Sequence, residues 1–275
     1  MSFSSPGSSV FFWRDITFQV TVFDKDNQQT TNSVPGQNRL YTTYVRAHPG
    51  TKLAFQVSKK SEVPARILLK IHTQNQTRYK ILTLKNENTQ DLVYLSRDSC
   101  LEIMRIGLGD HDIYLQTHDN FIFNVSGFDQ SPLGLLEEGR GQMQTPHPHK
   151  NTNSWGPVDF ILTEYDRNRK LQDTFQRHFS DESKSSVHIQ TRNNIHIAAR
   201  NNCNATVRLV MQLTSKRLQE NFYNTQTLQP GALINFVWIE EDADVRVMHV
   251  SPEDGVFTVL EQEDFVFTFT GLDLA

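Results

Sequence analysis

The chain has 275 residues, 37% of them hydrophobic and 21% charged, with a formal net charge of -4. That is enough for one large domain or two ordinary ones, too apolar for a disordered chain, and too weakly charged to suggest nucleic acid as a partner. No apolar run approaches the ~20 residues that a membrane-crossing helix needs, so no membrane span is expected.

Met1 to Ser9 carry neither a basic stretch nor an apolar one, which predicts an intracellular or virion location rather than secretion by a classical signal. Residues 1–8 read as an N-terminal arm. Alternating apolar residues, the mark of strands with one buried face, then begin at Ile16/Phe18/Val20/Val22. The pattern continues at Leu53/Phe55/Val57, Ile67/Leu69/Ile71, Leu101/Ile103, Ile113/Leu115 and Phe121/Phe123/Val125. Residues 129–152 shift to Gln, Gly, Pro, His and Asn and read as a linker. Alternation resumes at Val158/Phe160/Leu162, Leu209/Met211/Leu213, Val245/Val247, Phe257/Val259 and Phe265/Phe267/Phe269. Only Leu133–Glu138 and Arg177–Glu182 hint at helix, and both are short.

The second series repeats the first. Trp13–Asp24 aligns with Trp155–Asp166, and residues 53–71 align with 195–213 at the same spacing. Residues 98–127 align with 242–271, where Asp98, Met104, Asp110, Phe121, Phe123 and Gly127 recur as Asp242, Met248, Asp254, Phe265, Phe267 and Gly271. Units of this length are duplicated domains rather than a solenoid. The expectation is an all-β chain of two tandem antiparallel β-sandwiches, jelly-roll-like, spanning residues 9–128 and 153–275.

No motif demands chemistry. Asp24-Lys25-Asp26-Asn27 opens like a calcium loop but lacks the later acidic ligand, so it reads as a turn. Gly107–Asp112 gathers two carboxylates and a histidine at another turn, matched by Ser251–Gly255. General acid–base work needs carboxylates held in a dry cleft, which a turn tip does not provide. His147 and His149 lack a third metal ligand nearby. Trp13 and Trp155 read as core anchors, since a large aromatic gains most from burial. Sequons at Asn75, Asn124 and Asn204 read as chance in an Asn/Thr-rich chain. Cys100 and Cys203 fall in different halves, which fits a reducing compartment better than a disulfide framework.

No catalytic, cofactor-binding or metal residue is therefore assigned, and no cofactor. The chain reads as a non-enzymatic structural protein that assembles with other protein chains, a viral capsid or minor capsid component being the most concrete form. The alternative is a binding module that recognises a protein or carbohydrate through its loops. Residues 1–128 carry a net +3 and residues 129–275 a net -7, a polarity that suits electrostatic pairing between neighbours.

Overall fold

The computed structural model describes residues 8–29, 36–39, 41–85, 89–128, 158–166, 168, 170–177, 186–260 and 264–272. Among the described residues the chain is all β, with 21 strands and no helix. It divides into two compact units. Unit 1 takes the described residues up to Arg78, then Leu82–Met104 and those from Asp119 to 128; unit 2 takes Tyr79–Ile81, Arg105–His118 and the described residues from 158 onward.

In unit 1, β1 (Ser8–Trp13), β2 (Ile16–Phe23), β5 (Lys52–Lys59) and β8 (Gln90–Leu95) form an antiparallel sheet in the order β1-β2-β5-β8. A second sheet runs β7 (Gln76–Leu84), β6 (Ala65–Thr73), β9 (Ser99–Ile106), β11 (Phe121–Ser126), β4 (Thr42–Arg46), β3 (Gly36–Arg39). The register sets Phe18 opposite Val57 and Val20 opposite Phe55, so the apolar alternation of both strands lands on one face. Phe123 of the other sheet meets that face edge-on, 5.5 Å from Phe18 and 5.2 Å from Phe55 between ring centroids. Trp13 ends β1 buried and stacked on Phe18. Two sheets sharing one aromatic core make a sandwich-like unit. Trp155 lies outside the described residues.

In unit 2, β13 (Leu171–Arg177), β12 (Val158–Tyr165), β15 (Asn194–Asn201) and β18 (Leu233–Ile239) form one sheet in that order. The second runs β10 (Ile113–Gln116), β17 (Asn221–Leu228), β16 (Val207–Ser215), β19 (Ala243–Val250), β21 (Phe265–Thr270), β14 (Ser186–Gln190). Phe160 meets Phe265 at 6.1 Å and Phe267 at 5.4 Å, the same cross-sheet aromatic contact as in unit 1. Unit 2 also holds β20 (Phe257–Leu260), and the Gly255 N–H just before it donates to the carbonyl of Ile81, a residue of the same unit, at 2.7 Å.

Three expectations are corrected. The sheets are not purely antiparallel: β4 runs parallel to β11 and β14 parallel to β21. A period of two fixes which face a residue occupies and is silent on strand direction. The segment 177–182 is not wholly helical, since Arg177 closes β13; residues 178–182, Leu133–Glu138 and the linker 129–152 lie outside the described residues. The central strands of unit 2 are buried on both faces, with Val210 and Met248 covered as well as Leu209 and Val247.

Local devices recur between the units. Asp24 Oδ1 accepts the N–H groups of Asp26 and Gln28, and Asp166 Oδ1 those of Asn168 and Lys170. Asp98 accepts the Phe128 N–H at 3.1 Å, and Asp242 the Leu272 N–H at 2.8 Å. Gly127 and Gly271 have φ of 101° and 87°, and a Cβ there would stand 2.6 Å from the Ala47 carbonyl oxygen and 2.9 Å from that of Thr191. Lys59 and Asn201 end β5 and β15, both buried. The Lys59 ammonium donates to the Ser61 and Val63 carbonyls, and the Asn201 amide to those of Ala205 and Leu228.

Candidate functional site

On one side of unit 2 both sheets end, one at β10 and the other at β18. Ile113 pairs with Asn224 and Leu115 with Phe222, which in turn pair with Met211 and Leu213. Met211 belongs to the core, so by alternation Ile113 and Leu115 continue the core face outward to the sheet edge. There they are uncovered, 71% and 44% exposed. This corrects the expectation that both face a buried core. The same holds in part for β20, where Val259 is 40% exposed and only Phe257 is half-buried.

The other wall comes from β18. Its pairing with β15 shifts between Ile197 and Ala198, leaving Phe236 as the extra residue of a bulge. Phe236 turns into the core, and its carbonyl accepts the Asn224 Nδ2 donor at 3.3 Å across to the opposite sheet. Between the walls lies an open cavity of about 950 Å³ lined by Ile113, Met211, Leu213, Phe222, Phe236, Val237, Trp238 and Ile239. Gln226 donates to Asn224 at 2.9 Å, and both amides are buried. At the rim the Arg217 guanidinium pairs with Glu241 at 2.8 Å, and the Ser215 hydroxyl donates to the same carboxylate. The neighbouring Glu240 is exposed, and among the described residues it has no ion-pair partner. Trp238, 45% exposed, lies 5.0 Å from Tyr165 and 4.8 Å from His196 between ring centroids. Burial in this cluster pushes the His196 imidazole below its ordinary range.

The turns singled out in the sequence fall elsewhere. Asp24–Asn27 is an Asx-type turn, its carboxylate occupied by the backbone donors already described. In Gly107–Asp112 the Gly109 N–H donates to Asp112 at 2.8 Å and the His111 N–H to the Thr225 carbonyl at 2.8 Å. Asp110 accepts the Thr227 hydroxyl and lies 4.0 Å from the Arg208 guanidinium, which pairs with Asp254 at 2.8 Å. Arg208 thus fastens the turns that precede β10 and β20 to β16. Among the described residues no three His, Cys, Asp or Glu side chains gather to hold a metal ion, and Cys100 and Cys203 are free thiols. His147 and His149 lie outside the described residues. None of the described residues forms a helix long and apolar enough to cross a membrane.

The cleft joins apolar walls to a strand edge with backbone hydrogen-bonding capacity. That combination suits binding, because apolar surface gains from cover and a free edge gains from pairing. The sequence carries its signal only as the short Ile113/Leu115 alternation; the contribution of Trp238 has no pattern around it. No protein-family model matches the chain, and no curated protein matches it.

Proposed function

We propose that the protein consists of two copies of one jelly-roll-like sandwich and serves as a non-catalytic assembly protein that contacts other protein chains. The duplication draws support from strand order: β2-β5-β8 is matched by β12-β15-β18, and β7-β6-β9-β11-β4 by β17-β16-β19-β21-β14. The recurring Asp, Gly and β5/β15 end devices favour the same reading. The observation that carries the function is the pair of apolar side chains, Ile113 and Leu115, left open on an outermost strand. Natural sheets normally blunt such edges with charge, and this one keeps them apolar.

A shell or lattice component is the form of assembly that sandwiches suit, by analogy of architecture alone. Sedimentation of the full chain over a range of concentrations tests the proposal. The expected result is concentration-dependent association that slows as salt rises, because the +3 and -7 segments attract over a screening length of about 8 Å at physiological ionic strength. A chain that stays monomeric at every concentration refutes self-assembly.

A further inference from the structure

We propose that the open side of unit 2 receives an extended segment of another protein chain, which adds as a strand to the free edge of β10. The proposal rests on the protein-binding reading above and names how the binding occurs. Alternate residues of an outermost strand point their N–H and C=O groups away from their one neighbour, so among the described residues β10 offers a hydrogen-bonding template on the side opposite β17. Ile113 and Leu115 are two residues apart and therefore project to one face, toward the cleft. An added strand places every second side chain over that same face. Its apolar residues would cover Ile113 and Leu115 and enter the space bounded by Trp238. A compact apolar molecule could fill the cavity but would leave the strand edge unpaired.

Charge specifies the partner further. Arg217 is satisfied by Glu241, which leaves Glu240 as the net charge of the rim. The pairing of Gln116 with Asn221, and of Asn221 with Thr214, puts this rim at the Gln116 end of β10. The partner is thus a segment with Val, Ile, Leu or Phe at alternate positions and a Lys or Arg at that end. Other outermost strands also carry exposed apolar residues, among them Phe12 of β1, Leu171 of β13, Leu233 of β18 and Val259 of β20; at β1, Lys60 lies over the Phe12 ring at 4.8 Å.

The test uses the full chain as bait for a random dodecapeptide phage library, with the best binders synthesised and measured by fluorescence anisotropy. Peptides with apolar residues at alternate positions and a basic end are expected. Binding should weaken at least about tenfold to the exposed variants Ile113→Lys and Leu115→Lys, which corresponds to about 1.4 kcal/mol. Binding to Phe12→Lys should be unchanged. N-methylation of alternate backbone nitrogens should abolish binding in one register and spare it in the other. Peptides that bind Ile113→Lys as well as the parent, or that tolerate N-methylation in both registers, overturn the proposal. Selection that enriches no alternating sequence also overturns it. Self-association by a chain that captures no alternating peptide would sink strand addition while leaving assembly standing; peptide capture by a chain that never self-associates would do the reverse.

Discussion

Removing the ring of Phe267 should destabilise unit 2 by about 4 kcal/mol. The side chain is fully buried and meets Phe160 at 5.4 Å, Phe265 at 4.7 Å and Phe269 at 6.1 Å between ring centroids. Phe267→Ala forfeits about 2 kcal/mol of transfer free energy. It also leaves a void of on the order of 80–100 Å³, which at about 24 cal/mol per Å³ adds roughly 2 kcal/mol if the walls do not move in. They have little freedom to do so, because Val245 and Val247 flank the site from the paired strand and are themselves buried. Urea denaturation of the full chain, with hydrogen exchange followed by mass spectrometry, reads the effect and locates it. Amide protection should fall in β16, β19 and β21 first. The exposed Phe12→Ala serves as the control and should stay within about 0.5 kcal/mol. An unchanged midpoint for Phe267→Ala would refute the core assignment.

Gly127→Ala and Gly271→Ala should each cost at least about 2 kcal/mol, from positive φ and contact with a carbonyl oxygen; thermal melts check this, and neutral variants would refute the backbone argument. Lys59→Ala should cost about 2–3 kcal/mol, because it leaves the Ser61 and Val63 carbonyls without their donor and Asp15, 3.4 Å away, without its cation. Burial pushes the His249 imidazole below its ordinary range. The unfolded chain then takes up a proton that the folded chain does not, so stability should fall as pH drops below about 6.5 and be insensitive to this group above it. His249→Gln should flatten that slope in urea midpoints measured between neutral and mildly acidic pH.

Strand positions were legible wherever burial imposes alternation. Phe18, Phe123, Phe160 and Phe267 all occupy the core faces that their spacing predicts, because a period of two is the direct image of one covered side. Gly127 and Gly271 are legible in retrospect, since both keep the one residue that tolerates their backbone angle. The similar task of Lys59 and Asn201, each donating to turn carbonyls at the end of a strand, was not legible, because the two donors differ. Nor was the cleft. The alternation at Ile113/Leu115 is identical in form to that of a core strand, and what makes it a surface is the position of β10 at the end of a sheet order that no local pattern records.

Unit 2 also constrains the order in which the chain can fold. Ile113 finds its partner Asn224, and Gln116 finds Asn221, across a long interval of sequence. The β10 strand leaves the ribosome well before β17 exists, so during synthesis Ile113 and Leu115 have no sheet to join. Pairing of such distant segments carries a loop-closure cost and slows folding relative to local hairpins. The edge strand of the finished sheet thus waits for its one neighbour until β17 has emerged. In that interval its apolar residues stand uncovered, the condition that makes a folding chain prone to aggregate.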